Sequence, residues 1–476
     1  MVFRRSDLEL QKDATFSGTL EELGFRLNLE GQVVTRLPPY DFYEFAKYEK
    51  HETNQQRYHA IHKAVRASVH ETLAEVGVKA RYLYMSDNGD EHHLTTTKPA
   101  EPSIKILVSR QISVLERKEI YLVVGDSKQD LAIWSRKAIM TESGITHGSV
   151  IRLVSELRSR KMSTGGPGVP DDDAAQKVAE KQATRPSEFD LPGIIILNPG
   201  ELLYSHKQQD CMSPATWQDQ EREHAFSDQY KITEAYNTVK GHKTSGEHIE
   251  TFLREFIGDL MGPKTHLNII AVGDASEAVL GFLNKAYTLA EAGDELNKDF
   301  RFTIALVQPT HDANIVTDRK LQDVLAKHGR AWESHSEPQG TLLKRVAPGM
   351  MFPPPPLTET ALQSLKQEVM SKSERDEDEA SKEQELGNDS TTREDHGLKR
   401  ETPSEVLKDE KGENQYGSAS GTASNDPNAY PYYKQHVNCP TFSAGIEDTT
   451  DMVVPHIMDE VLRFFKEDKE SRKKAE

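Results

Sequence analysis

The sequence predicts an α/β fold in three layers: one mostly parallel sheet with helices on both faces. Three observations predict it. Continuous apolar runs such as "GIIILNPG" (residues 193–200) and "FTIALV" (302–307) are strand-sized and apolar enough to be covered on both sides. The segments between them carry apolar residues at helical spacing. Strands and helices alternate along the chain, which is how parallel sheets are built.

The elements follow in order. Residues 54–76 place Tyr58, Ile61, Val65, Val69, Leu73 and Val76 on one stripe, a helix. "IKILVS" (104–109) and "IYLVVG" (120–125) are short strands. Residues 148–160 are helical, with Val150, Leu153, Val154 and Leu157 on one side. After the 193–200 strand, a helix capped near Ser245 runs to Leu260, with Ile249, Phe252, Leu253, Phe256 and Ile257 on its apolar face. "LNIIAVGDASEAV" (267–279) is a buried strand turning sharply into a helix that reaches about Ala292. Then come the 302–307 strand and a helix over 318–328. "CPTFSAG" (439–445) is a further strand, and 452–466 a last helix.

Two stretches lack core-forming residues. Residues 163–188 and 371–430 read as disordered insertions, the second with twice as many acidic as basic residues. The end "KEDKESRKKAE" reads as a charged, solvated helix end, so a single domain over 20–467 is expected, followed by a charged tail at 468–476. A net charge of −18 argues against broad nucleic-acid binding, which needs a basic face. Cys211 and Cys439 form no metal or disulfide pattern and point to a reducing compartment. No secretory signal and no run of about 18 apolar residues is visible, so neither secretion nor a membrane span is expected. The expected location is the nucleus or cytoplasm.

In such sheets function gathers where parallel strands end. The turn at 271–275, "AVGDA", has the small flanking residues of a turn that presents a nucleophile. Its middle position is Gly273, which has no side chain. The next strand ends in Gln308, which cannot hold an imidazolium as a carboxylate does. "AGIEDTTD" follows the last strand and contains no histidine. All three positions of a serine-hydrolase triad therefore lack a suitable side chain. A shifted arrangement would use Ser276 with His311, near Asp312, although Ser276 reads as a helix cap and His311 as a structural histidine. His59 and His62 are spaced HxxH, and His92 and His93 lie in a polar loop, but neither pair has zinc spacing. No metal and no cofactor is expected. "TGGPGVP" is a linker rather than a phosphate loop, and Pro353–Pro356 a stiff connector. Residues 201–243 sit where hydrolase folds carry a lid. They hold Trp217, Phe226, Tyr230 and Tyr236, which could cover a pocket that binds a small molecule without turning it over.

The ordered set "RYHAIHKAVRASVHETLAEVG", "IYLVVGDSKQDLAIWSR", "GSVIRLVSEL", "IIILNPG", "LNIIAVGDASEA", "ALVQPTH", "SHSEPQG" and "CPTFSAGIEDTTD" resembles the Arb domain. That domain belongs to the second argonaute-binding subunit of the fungal argonaute chaperone complex, and a similar one ends fungal class II histone deacetylases. Trp134 with Arg136, "ILNP", and "SEP" before "SAG" carry most of the likeness. Animal relatives resemble α/β-hydrolases with a serine turn. The resemblance puts that serine at Gly273, the acid at Gln308, the histidine at about Thr449, and an oxyanion-side motif at Val124–Gly125. It implies an α/β-hydrolase-like fold without a working triad. The former pocket would be formed by Gly125, Asp126, Gly273, Asp274, Gln308 and His311. The function implied is that of a scaffold in chromatin silencing, with argonaute-type or histone deacetylase complex subunits as protein partners.

Overall fold

A computed structural model describes residues 14–16, 18–36, 48, 51–86, 91–109, 118–141, 144–162, 192–218, 220, 231–260, 265–291, 301–310, 313–344 and 439–475. The chain divides into two compact units, Met1–Phe352 with Val437–Glu476, and Pro353–His436. Every described residue belongs to the first. Both expected insertions, 163–188 and 371–430, lie outside the described residues, as do Phe226, Tyr230, His311, Asp312 and the proline run.

The strands are β1 (Phe25–Leu27), β2 (Val33–Thr35), β3 (Val78–Met85), β4 (His92–Thr95), β5 (Ser103–Ser109), β6 (Glu119–Val124), β7 (Gly193–Leu197), β8 (Leu203–Ser205), β9 (Asp210–Met212), β10 (His266–Val272), β11 (Phe302–Val307), β12 (Gly329–Glu333), β13 (Leu342–Lys344) and β14 (Thr441–Ser443). Ten of them form one sheet in the order β13-β14-β12-β11-β10-β6-β7-β5-β3-β4. From β7 to β14 the neighbours are parallel, while β5 and β13 run against them. An antiparallel second strand, with the next two strands exchanged in order, is the arrangement expected of an α/β-hydrolase-like sheet.

The helices are α1 (His51–Glu75), α2 (Arg136–Ile139), α3 (Gly144–Gly148), α4 (Ile151–Met162), α5 (Pro214–Gln218), α6 (Glu234–Asn237), α7 (Ser245–Glu255), α8 (Ile257–Leu260), α9 (Ala275–Glu291), α10 (Arg319–His328) and α11 (Thr450–Ala475). The strand period of two sorts side chains between two cores. Tyr121, Val123, Ile194, Ile196, Ile270 and Val272 point into the core shared with α1, α4 and α11. Ile120, Leu122, Ile195, Leu197, Ile269 and Ala271 point into the core shared with α7, α9 and α10. Each fully buried Ile or Leu stabilises by about 1.5–3 kcal/mol at most, so the runs that look continuous in sequence serve both faces at once.

Several boundaries differ from expectation. The helix expected over 148–160 is a short α3 followed by α4, and the apolar stripe through Leu260 is interrupted at Phe256, which caps α7. Thr244 rather than Ser245 is the cap of α7, accepting from Glu247 N at 3.2 Å, while the Ser245 hydroxyl donates to Pro199 O at 2.7 Å. The last helix runs well beyond residue 466, and its charged end is not wholly solvated. Asp468 is buried, accepting from Thr303 Oγ1 at 2.6 Å and meeting His328 Nδ1 at 2.6 Å. Lys469 pairs with Glu119 at 2.7 Å. These contacts tie the helix to the N-terminal edge of β6 and β11.

Candidate functional site

The C-terminal ends of β6, β10 and β11 bring Gly125, Asp126, Gly273, Asp274 and Gln308 to one edge. β10 stops at Val272, and α9 begins three residues later. A reversal that short needs a left-handed residue, and Gly273 supplies it with φ +59°. Its N–H donates to Val307 O at 2.9 Å, pinning the turn to β11. The shape is that of a nucleophile-bearing elbow. The space where a side chain would begin is filled, however. A Cβ on Gly273 would collide with the Asp126 carboxylate and stand 3.5 Å from Thr450 Cγ2.

Asp126 occupies that space for local reasons. It follows β6 by two residues, accepts from Lys128 N at 2.8 Å, and lends its own carbonyl to Gln129 N at 3.1 Å. Burial raises its carboxyl above the ordinary carboxylate value, and the nearby Asp274 and Asp451 charges add to the rise. Asp274 is fastened across the gap by Ser127, whose N–H donates at 3.1 Å and whose hydroxyl also donates. Asp451 accepts from Ser135 Oγ at 2.7 Å, and Asp448 pairs with Lys137 at 3.2 Å. Carboxylates therefore crowd the place where acyl transfer needs donors aimed at a developing oxyanion.

The other two positions are built into the frame. Gln308 also has a left-handed backbone, φ +50°, an uncommon state for a residue with a Cβ. Its N–H donates to Trp332 O and its Oε1 accepts from Ser334 N, both at 2.7 Å, so it clamps β11 to the chain leaving β12. Thr449 is exposed just before α11, with its N–H on Asp448 Oδ1 at 2.7 Å and its carbonyl accepting from Met452 N at 2.9 Å.

Ser276 corrects its sequence reading as a cap. It lies inside the first turn of α9, is fully buried, and its hydroxyl makes no hydrogen bond among the described residues. His311, its proposed base, lies outside the described residues. No group of three His, Cys, Asp or Glu among the described residues could hold a metal ion. His59 meets Thr216 Oγ1 at 3.3 Å, and His92 bridges Glu255 Oε2 at 2.6 Å and Lys240 O at 2.8 Å.

Sequence reasoning missed Asp130 with Arg136. Asp130 follows the β6 loop and is buried. Arg136 starts α2 and donates to it twice, from Nε at 3.1 Å and Nη2 at 2.7 Å. Burial alone would raise the Asp130 carboxyl, yet Arg136 and Arg66 bring it down to about 2. Between Asp130 and Arg136 in the chain, Trp134 is buried, and its indole N–H has no partner among the described residues. Cys211 and Cys439 are buried and free, and burial pushes the Cys439 thiol up to about 12; neither is a nucleophile at neutral pH. In the 201–243 segment Trp217 is core, while Tyr236 is 58% exposed and stacks on the His206 ring at 3.8 Å. No described helix is long and apolar enough to cross a membrane.

The chain matches the Arb2 domain over residues 16–339. β14 and α11 lie beyond that stretch and still complete the sheet, β14 by pairing with β12 and α11 by packing under β10 to β12. No curated protein and no solved structure matches the chain.

Proposed function

The chain belongs to the Arb2 domain family, and from that membership we propose that it is a non-catalytic scaffold of small-RNA-linked chromatin silencing. In this reading a hydrolase-like body presents surfaces to protein partners, argonaute-type or histone deacetylase complex subunits, in the nucleus. The family places the chain in the argonaute chaperone and silencing context; the scaffold role and the partners are our inference.

One observation carries the non-catalytic part. The residue at the elbow is Gly273, in the left-handed backbone a nucleophile would need, and the Asp126 carboxylate fills the volume its side chain would take. A nucleophile there would need the carboxylate moved and a base supplied. The alternative pair, Ser276 with His311, starts from a hydroxyl that is fully buried.

Two measurements on the full chain test the proposal. A fluorophosphonate probe is expected to leave the protein unlabelled; labelling abolished by Ser276→Ala would establish the enzyme reading instead. Affinity capture from nuclear extract is expected to recover argonaute or deacetylase subunits reproducibly, and recovery of neither would sink the scaffold.

A further inference from the structure

Two cavities among the described residues differ sharply in size. Beneath Gly125 and Asp126 the enclosed volume is about 10 Å³, too little for more than a single water. A cleft of about 440 Å³ lies instead between α1 and the β8–β9 hairpin, floored by Asp130 and Arg136. That size falls in the range of small-molecule sites.

The cleft follows from helix periodicity. Gln56, His59, Ala60 and Lys63 stand at i, i+3, i+4 and i+7 on α1, and His62 and Arg66 flank them. The hairpin faces this stripe from about 145 residues further along the chain, and Lys63 Nζ reaches across to Gln208 Oε1 at 3.1 Å. Phe16, Ala60 and Met212 give its lining apolar surface.

Its charges are unevenly matched. Arg136 is answered by Asp130, and Arg66 by Glu201 with Asp210 at 3.9 Å. Lys63 meets only the neutral Gln208 amide among the described residues. His62 is 4% exposed, lines the cleft, and leaves Nε2 without a partner among the described residues. A buried ring nitrogen without a partner is uncommon and points to a missing one. Burial and the Arg136 charge hold this imidazole neutral, at about 3, so it offers one N–H and one lone pair rather than a charge.

We propose that the cleft binds a small organic anion, an apolar body carrying one carboxylate or phosphate head. Lys63 attracts the head, His62 Nε2 donates to one of its oxygens, and Phe16, Ala60 and Met212 cover the body. This site is separate from the elbow and stands whether or not the scaffold reading does.

The test uses the full chain with four probes: 3-phenylpropionate, phenyl phosphate, the neutral 3-phenylpropanamide, and inorganic phosphate. Both aryl anions are expected to bind saturably by calorimetry, with millimolar or tighter dissociation constants. Whichever of the two binds more tightly identifies the head. The amide and inorganic phosphate are each expected to bind at least about fivefold more weakly, and added salt to weaken both anions. Lys63→Gln, a change at an exposed position, is expected to weaken both by about fivefold with an unchanged thermal midpoint. His62→Asn provides a second, buried variant with the same expected direction, and should it fail to fold, Lys63→Gln decides alone. Absence of saturable binding by either anion, amide or bare phosphate binding as tightly, or affinity untouched by Lys63→Gln would each overturn the proposal.

Discussion

The Gly273 elbow and the α1–hairpin cleft open from loops at the same strand-end edge, yet one is closed and the other is not. At the elbow Asp126 is held by Lys128 N, Asp274 by Ser127 and Gln308 by Ser334, and only the fully buried Ser276 hydroxyl there is left without a partner among the described residues. In the cleft, among the described residues, His62 Nε2 has no partner and Lys63 has only a neutral one. Satisfied networks rigidify a fold, whereas unsatisfied groups in a cavity are where a ligand gains affinity.

Breaking the wall shared by both regions has the largest expected effect. Arg136→Met would leave Asp130 buried and unpaired, at a cost of about 3–5 kcal/mol, read as a lowered urea midpoint. Next comes restoring a side chain at the elbow. Gly273→Ser combines about 1 kcal/mol for a left-handed residue with a Cβ and about 1–3 kcal/mol for the collision with Asp126. The double variant Gly273→Ser/Asp126→Gly should recover the second part and not the first. A single variant as stable as the parent would show that the carboxylate does not fill that space.

The two regions also answer pH with opposite sign. His62 sits at about 3 in the folded chain against 6.5 ordinarily, so the unfolded chain takes up the proton first as pH falls. Its contribution is full above about pH 6.5 and is lost progressively toward pH 3, by about 2 kcal/mol at pH 5. His248 and His266, also at about 3 and buried, add to the same acid loss. His62→Asn should therefore lose about 2 kcal/mol less stability than the parent between pH 7 and pH 5. Equal losses would place His62 in a solvated setting.

The helices and central strands were legible because burial on both faces leaves an apolar run, as in "IIIL" and "IIAV". Strand β3, "VKARYLYM", paired between β5 and β4, was not, since Lys79 and Arg81 leave it no continuous apolar run. β12, "GRAWE", is five residues long and flanked by charge, and it was missed for the same reason. The empty elbow could be read at Gly273, because a missing side chain is visible in sequence. What fills it could not, because Asp126 arrives from a different strand. The cleft was hidden for a similar reason: His59 and His62 stand out as HxxH, but their surroundings come from residues about 145 positions away. Ser276 misled because a serine before an apolar stripe usually caps, and here the turn is closed by backbone groups at Gly273 and Asp274.

The smallest expected effect is the most direct check on the elbow. Asp126 has its carboxyl raised by burial and by the Asp274 and Asp451 charges. The folded chain therefore holds this proton more tightly than the unfolded one, and the group's contribution, present in acid, is lost as pH rises through the folded value. At pH 7 the ionised group is a net liability, relieved in part by the Lys128 N–H and by the Lys128 charge. Asp126→Asn keeps an oxygen for that N–H and removes the charge, so it should stabilise the chain by about 1 kcal/mol at pH 7 and by nothing near pH 3. Urea midpoints at the two pH values measure the difference. A gain that grows toward acid, or a loss at pH 7, would mean that a cation outside the described residues balances Asp126, and the elbow would then be a charged site rather than a filled one.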